Sequence, residues 1–499
     1  MSRKIKRLAI ANRGEVAVRI IRACEELGIE SVLLHSEPDL NSRAYRMATK
    51  TICIGPAAVS ESYLNITANI QAALSMQADA VHPGFGFLSE NPDFAEAVQA
   101  AGMIFVGPSP DAIRKLGDKV HFKNLARNSG LPLIPGYDGE DQTLETLLKE
   151  CDKIGYPVIV KAAAGGGGRG MKVIIAKDQA ANQISSAQRE AQVAFGSEKV
   201  FLEKYLDQAK HIEFQIFGDS TGKIEHLFER ECSVQRRHQK IVEEALASQL
   251  SDETRKKMAE CAQMIAQAGG YKSAGTVEFL LQDNKFYLLE LNTRLQVEHP
   301  VTEEVMGLDL VKMQILTAQD EFVFDARKIK VPHGHAIECR LYAEDSYAGG
   351  LPSVGKLGIV HFPEGPRRRF EYGFEEGDEI TTFYDPMIAK VIVWDESRPR
   401  AIQKMVEVLK TTVIFGVKTN IPFLLEILQH REFIMGTMNT NFIQKYFPQG
   451  LTQQKTTPDQ EVLFDWARQS LGGTVLSKNS NGGSNQIYSP WSHPWGKQQ

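Results

Sequence analysis

Between Leu288 and Pro300 the sequence reads LLELNTRLQVEHP, in which Glu290, Asn292, Arg294, Gln296 and Glu298 alternate with Leu291, Thr293, Leu295 and Val297. In an extended chain, period-two geometry turns all five polar heads to one side. Carboxylate and amide oxygens suit a hard cation such as Mg²⁺ or Mn²⁺. A guanidinium suits a planar oxyanion, and a carboxylate just beyond it can take a proton from an acid bound there. The row therefore reads as cation site, anion site and base, in that order. The competing reading is a solvated strand face.

The preceding segment, GTVEFLLQDNKFYLLELNTR, reads as a hairpin with a three-residue loop at Asp283–Lys285, which sets Glu278 opposite Glu290. Like charges directly opposite destabilise a sheet. A divalent ion between them removes the repulsion, and Asn292, two residues on, adds a third oxygen. Glu278, Glu290 and Asn292 are thus the candidate metal ligands, with phosphate oxygens of a bound ligand completing an octahedron. The flanking runs VEFLL and FYLLEL read as buried on both faces, which fits poorly with two solvated glutamates.

A second candidate is the glycine run Gly165–Gly168 followed by Arg169 and Gly170, set between two strand patterns in YPVIVKAAAGGGGRGMKVIIA. Glycines let backbone N–H groups approach an anion closely. No Gly-Lys-Ser/Thr closes the run and a strand pattern follows it, so it is not a Walker A loop. It reads as a flap, with Lys161 as a point charge for phosphate. The plainer alternative is a flexible surface hairpin.

The elements that position these residues begin with alternating strands and helices. RLAIA, SVLLHS, TICIG, ADAVHPG and MIFVGP are strands. Val16, Ile20, Cys24 and Leu27 fall at helical spacing before Gly28, and Ala68–Met76 and Asp93–Ala101 are further helical runs. This is the pattern of a doubly wound parallel sheet. Asp111–Ser129 is helical and charged, and Asp252–Ala268 is a helix ahead of the hairpin. The mixed remainder runs to about Phe447. Beyond Pro448 the chain turns polar, with one helix candidate opening at Thr457 and Pro458 and stopping at Gly472.

With 499 residues, 42% hydrophobic and 24% charged, the chain can bury large cores in about three domains. A net charge of −5 gives no global field for nucleic acid or an anionic membrane. No run of 18 apolar residues predicts a membrane span. Six scattered cysteines without metal spacing predict reduced, cytoplasmic thiols, with Cys232 structural. Arg367–Arg369 reads as a solvated loop.

Seven strings, IANRGEVAVRIIRA, HPGFGFLSEN, GDKV, GGGGRGM, CSVQRRHQKIVEEA, LELNTRLQVEHPVTE and HAIECRLYAED, resemble in the same order those of the biotin carboxylases of the ATP-grasp superfamily, from about Lys4 to Phe447. The resemblance implies an α/β, ATP-grasp fold. It places an N-terminal doubly wound (pre-ATP-grasp) domain at 1–115 and an ATP-grasp domain at 116–330 with a mobile lid at about 133–204. A C-terminal mixed α+β domain follows at 331–447, then a largely disordered tail at 448–499. It implies that ATP and bicarbonate form carboxyphosphate and that the carboxyl group passes to biotin. Lys119 and Lys161 would hold phosphates under a flap containing Gly167 and Gly168. Glu203, Lys204, Tyr205 and Leu206 would form the adenine hinge, and His211, Gln235 and His238 would line the nucleotide. The two histidines could equally be ordinary packed residues. Lys240, Arg294, Gln296 and Val297 would bind bicarbonate, Glu298 would be the base, Arg340 would contact bicarbonate and biotin, and Arg294 would stabilise the biotin enolate.

Two departures from the family pattern, Ala164 at the head of the glycine run and Phe85 where tyrosine is common, remove no ligand. No Met-Lys-Met occurs, so biotin is expected on a separate biotin carboxyl carrier protein, with a carboxyltransferase subunit downstream and a homodimer as the family's usual state. The tail's Trp466, Trp491 and Trp495 suggest partner docking, against a plain extension. Another ATP-grasp ligase, of the carbamoyl-phosphate or purine-pathway carboxylating type, and a catalytically silent structural subunit of a carboxylase complex are the competing readings.

Overall fold

The computed structural model describes residues 4–163, 171–237, 239–325 and 331–452. The glycine run, His238 and the tail helix candidate lie outside the described residues, as do all three tail tryptophans. The described residues up to Leu451 form one packed unit.

Five short strands open the chain: β1 (Arg7–Ile10), β2 (Glu30–Ser36), β3 (Lys50–Gly55), β4 (Ala80–His82) and β5 (Ile104–Phe105). They form a parallel sheet in the order β3-β2-β1-β4-β5. The first helix, Gly14–Leu27, buries Val16, Ile20 and Cys24 and ends at Gly28, whose φ of 67° is left-handed. The strand order reverses at β1 and β4, so the loops after them open at one crevice. Asn12 ties those loops together, its Nδ2 donating to the carbonyls of Pro83 and Phe85 at 2.7 Å each. Gly84, at φ 63°, lies so close that a Cβ there would stand 2.8 Å from Asn12 Nδ2. The strings ANRGEV and HPGFGF are therefore two lips of one opening.

The helical stretch expected over Asp111–Ser129 is two helices, Pro110–Gly117 and Lys119–Asn128. Asp118 breaks it: its carboxylate accepts from the N–H groups of Val120 and His121, starting a new helix with Lys119 in its first turn. Next comes a four-stranded antiparallel sheet of β6 (Gly136–Tyr137), β7 (Val158–Ala162), β8 (Met171–Ile174) and β9 (Val200–Lys204), in the order β6-β9-β7-β8. Its core of Val158, Val160, Ile174 and Leu202 packs on Leu147 and Ile184 from two covering helices.

The largest sheet holds β10 (Lys210–Gly218), β11 (Ile224–Arg236), β12 (Gln239–Ala245), β13 (Ser273–Gln282) and β14 (Lys285–Asn292). It continues through strands His335–Tyr342, Met387–Asp395 and Arg368–Tyr372, in the spatial order β14-β13-β10-β11-β12 and then those three. The sheet thus runs unbroken past residue 330. Phe214, Phe279 and Leu291 pack with Met258 and Ile265 of helix Asp252–Ala268, which spans the residues the periodicity predicts.

Two sequence expectations need correcting here. The strand stops at Asn292, and Glu298 sits just before helix His299–Met306, so the five heads from Glu290 to Glu298 do not lie along one strand. Arg367–Arg369 is not a solvated loop: Arg368 opens a strand, and Arg369 pairs with Glu303 and Glu371, both buried.

Candidate active site

The N-terminal crevice, the β6–β9 sheet and the edge of the large sheet enclose a cleft of about 1480 Å³. Across its floor, one line of side chains runs perpendicular to the strands. Glu290 on β14 faces Glu278 on β13, Glu278 faces Glu213 on β10, and Glu213 faces Arg230 on β11. Three glutamates in register on adjacent strands repel one another unless cations intervene. Arg230, fully buried, donates through Nε to Glu213 Oε1 at 2.5 Å. Lys240 Nζ donates to the other Glu213 oxygen, to Glu278 Oε1 at 2.8 Å and to Glu298 Oε1 at 2.7 Å.

The pairing of Glu278 with Glu290 is as the sequence predicts, but the turn is not. Gln282 pairs with Lys285, so the loop is the two residues Asp283 and Asn284, both at positive φ, rather than Asp283–Lys285. A register shift between Glu278 and Phe279 inserts Leu289 as an extra residue and brings Glu290 opposite Glu278. Without that bulge Leu289 would take the place, since a one-residue slip turns each side chain to the other face.

At the outer end of the line, burial and the facing acid outweigh the pull of Lys119 and Lys240. Burial, then Glu278 across the pair, push the Glu290 carboxyl above its ordinary range. Two facing carboxylates with an adjacent amide form a donor set that fits Mg²⁺ or Mn²⁺. Asn292 turns its amide nitrogen to Glu278 Oε1 (2.9 Å), while its oxygen accepts from Arg294 Nη2 (3.1 Å). His211 Nε2 lies 3.2 Å from Glu278. Burial disfavours its charge, but Glu278 and Glu213 overcome this and raise it to about 9, so it acts as a cation in the row.

Beyond Asn292 the heads converge by bending, not by strand periodicity. Arg294 Nη1 donates to Gln296 Oε1 at 3.0 Å, and Nε donates to Glu90 Oε2 at 2.9 Å. Glu90 also accepts from the Thr293 N–H, fixing the bend. Gln296 Nε2 is buried without a partner, an unused donor of the kind an oxyanion satisfies. Glu298 is sealed below this surface. Lys240 holds its Oε1, and Arg340 Nη2 holds its Oε2 at 2.8 Å. Burial and Glu213 oppose its ionisation, yet Lys240 and Arg340 prevail and hold its carboxyl below the ordinary range.

At the other end of the cleft, Lys161 on β7 and Lys123 donate to the two oxygens of Glu203 on β9, at 2.5 and 2.6 Å. Burial works against that carboxylate, but Lys161 and Lys123 lower it to about 2. The Glu203 side chain is therefore committed to lysines, and Lys204 Nζ is committed to the carbonyls of Gly155 and Tyr156. Tyr205 reaches Asn441 through its hydroxyl at 3.2 Å. Lys119, Leu206, Gln235 and Val297 also line the cleft, with Gln235 Nε2 turned to the Cys232 carbonyl. Gly167, Gly168 and His238 lie outside the described residues.

Sequence reasoning missed Glu90, Lys123, Glu213, Arg230 and Glu243. For Glu213 the signal was present: His211, Glu213 and Gln215 alternate with Ile212, Phe214 and Ile216, the same pattern as the row singled out. Glu90 and Lys123 carry no comparable local pattern. Cys232 is buried, and burial pushes its thiol well up, which agrees with a structural role.

Comparison with known proteins follows the same division. Residues 4–113 match the biotin carboxylase N-terminal domain, 118–323 the ATP-binding domain of the carbamoyl-phosphate synthase L chain, and 338–445 the biotin carboxylase C-terminal domain. The chain is 43% identical over 491 residues to the methylcrotonoyl-CoA carboxylase subunit alpha, mitochondrial, of Dictyostelium discoideum, covering 98% of this chain and 70% of that one. It is 44% identical over 446 residues to a biotin carboxylase of Allochromatium vinosum, covering 89% and 99%. A solved structure of the biotin carboxylase domain dimer of Hydrogenobacter thermophilus 2-oxoglutarate carboxylase, with MgADP, ADP and bicarbonate, superposes with a TM-score of 0.85 at 40% identity, covering 89% of this chain and 98% of that one. A chain that aligns along nearly the whole of a bacterial biotin carboxylase, at this identity, belongs to the biotin carboxylase family.

Proposed function

We propose that this chain carboxylates biotin on a separate carrier protein, using ATP and bicarbonate through carboxyphosphate. The observation that carries this reading is Glu298, a buried carboxylate with both oxygens held by Lys240 and Arg340, two residues after Gln296, whose side-chain donor is buried and unpartnered. In that state it is a weak base. Bicarbonate seated on Arg294, Gln296, Lys240 and Arg340, at the level of Val297, draws those cations toward itself. Glu298 loses its partners, its proton affinity rises, and it takes the bicarbonate proton through the oxygen released. The base strengthens only when the substrate is present.

Lys161 and Lys119 serve the phosphates. The hinge Glu203–Leu206 serves the adenine through its backbone and Leu206, because the Glu203 and Lys204 side chains are otherwise engaged. Glu278, Glu290 and Asn292 would hold Mg²⁺ or Mn²⁺, which supplies charge neutralisation at the phosphates; Asn292 would turn its oxygen inward. Residues 133–204 act as a lid that keeps water from carboxyphosphate. Arg294 then stabilises the biotin enolate. The relative crystallised with MgADP and bicarbonate, as a dimer, supports both the ligand set and a homodimer here. A biotin carboxyl carrier protein would present the biotin and a carboxyltransferase subunit would receive the carboxyl group, as the carboxylase subunit among the relatives supports. Six free thiols, five of them buried, support a reducing, cytoplasmic setting. Among the described residues no helix is long and apolar enough to cross a membrane.

The test is ADP release by the purified protein with Mg²⁺, bicarbonate and either free or carrier-bound biotin. Release should depend on both bicarbonate and biotin and run faster with the carrier. The middle segment's match to a carbamoyl-phosphate synthase domain keeps a second ATP-grasp reading in play, and biotin-independent turnover would favour it. Absence of any turnover would favour the silent subunit.

A further inference from the structure

Arg340 also touches a second pair of acids. Glu243 on β12 and Glu338 on strand His335–Tyr342 stand directly opposite each other in antiparallel register, and both are 0% exposed. Opposed residues in such a pair have Cβ atoms about 5 Å apart on the same face. Glu338 and Arg340, two apart on one strand, share that face. Arg340 Nε donates to Glu243 Oε1 at 2.5 Å. Glu243 Oε2 has no partner, nor has either oxygen of Glu338.

The nearby cations are already committed. Arg340 serves Glu243 and Glu298, and Lys240 serves Glu213, Glu278 and Glu298. Lys390 donates to the Val297 carbonyl and pairs with Glu15 at 3.1 Å. Among the described residues none comes within ion-pairing distance of Glu338. Two ionised carboxylates side by side at full burial, with one cation between them, cannot both persist, so the pair keeps a proton. Burial pushes the Glu243 carboxyl up to about 7 even against Arg340, but its bond from Arg340 still makes it the more acidic of the two, and Glu338 is left as the acid. Glu243 Oε2 is the unpartnered oxygen of the residue directly opposite, and a hydrogen bond to it from the Glu338 O–H would give both orphaned groups a partner. Burial pushes the Glu338 carboxyl well above its ordinary range, in agreement.

We propose that Glu338, kept as a neutral acid, hydrogen-bonds Glu243, and that this pair positions the Arg340 guanidinium for bicarbonate. Both are positioning residues, and the inference rests on the bicarbonate role proposed above for Arg340. It separates two substitutions that differ only in donor capacity. Glu338→Gln keeps a neutral donor, so kcat and the bicarbonate KM should stay within about twofold of the parent. Glu338→Ala and Glu243→Gln should each raise the bicarbonate KM by roughly fivefold or more, with the ATP KM unmoved.

The idea is overturned if Glu338→Gln is as damaging as Glu338→Ala, if neither of the other variants moves the bicarbonate KM, or if the ATP KM rises in step with it. Isotope-edited infrared spectra of the parent should contain a neutral-acid carbonyl band that disappears in Glu338→Gln; its absence in the parent also overturns the pair. If the parent itself shows no bicarbonate-dependent turnover, the proposed function fails while the infrared band still reports on the pair.

Discussion

The two ends of the cleft carry charge in opposite ways. At the β7–β9 end one carboxylate, Glu203, serves two lysines, Lys161 and Lys123. Along the floor, and behind it, Glu213, Glu278, Glu298 and Glu243 share Lys240, Arg230, Arg340 and His211, and Glu290 stands against Glu278 at the outer end. The first end has positive charge to spare and is prepared for a polyanion. The second has negative charge to spare and is complete only with a cation and retained protons. Both charge states cost desolvation, and each is relieved by its own ligand.

Removing the base tests the second end most severely. Glu298→Gln keeps the shape and loses the proton acceptor, so kcat for biotin carboxylation should fall about 10²–10⁴-fold, while the ATP KM should stay within about twofold. A loss smaller than about tenfold would place the base elsewhere and remove the contrast between the ends.

The first end is tested through stability. Glu203 is held down to about 2 against an ordinary 4.5. Its contribution is complete above that ordinary value and disappears as pH falls toward the lower one, because the unfolded chain takes up the proton first. At about 1.4 kcal/mol per unit, the contribution is on the order of 3 kcal/mol at neutral pH. Urea midpoints of the parent and Glu203→Gln should therefore differ most near pH 7 and converge in acid. A gap that stays constant with pH would mean that Glu203 is not the anchor of the two lysines.

A smaller effect is expected at Glu90, which touches Arg294 from the N-terminal crevice. Arg294 keeps Asn292 and Gln296 as partners when Glu90 becomes Gln, so the loss is one charge-assisted bond. The bicarbonate KM should rise by roughly threefold to tenfold, with the ATP KM unchanged. An equal rise in both would show that Glu90 braces the whole cleft.

How much of this could be read from the chain differs by region. The parallel sheet was legible because each strand is a short apolar run closed by a turn, and helix Asp252–Ala268 was legible from its periodicity. Glu278 and Glu290 were legible as a pair because paired acids between apolar runs have few innocent explanations. The bend after Asn292 was not. It is imposed by Glu90, some two hundred residues earlier, which holds the Thr293 N–H and the Arg294 side chain, and no window on the sequence contains both. The break at Asp118 was missed for a different reason: apolar periodicity continues across it, and only the capping bonds reveal it.

The hairpin offers the finest test, because its correct pairing was predicted from the wrong loop. Asp283 and Asn284, with φ of 51° and 60°, form a two-residue turn in which the second position favours glycine. Asn284→Gly relieves the left-handed strain at that position but gives the unfolded chain more freedom, so the two effects largely cancel. The urea midpoint should change by no more than about 0.5 kcal/mol in equivalent stability, and Mn²⁺ affinity should not change. Register at the acid pair is set instead by the bulge at Leu289, several residues from the turn and flanked by the buried Leu288 and Leu291. If Asn284→Gly weakened Mn²⁺ binding, the turn and not the bulge would be holding Glu290 against Glu278, and the floor of the cleft would owe its charge line to loop geometry.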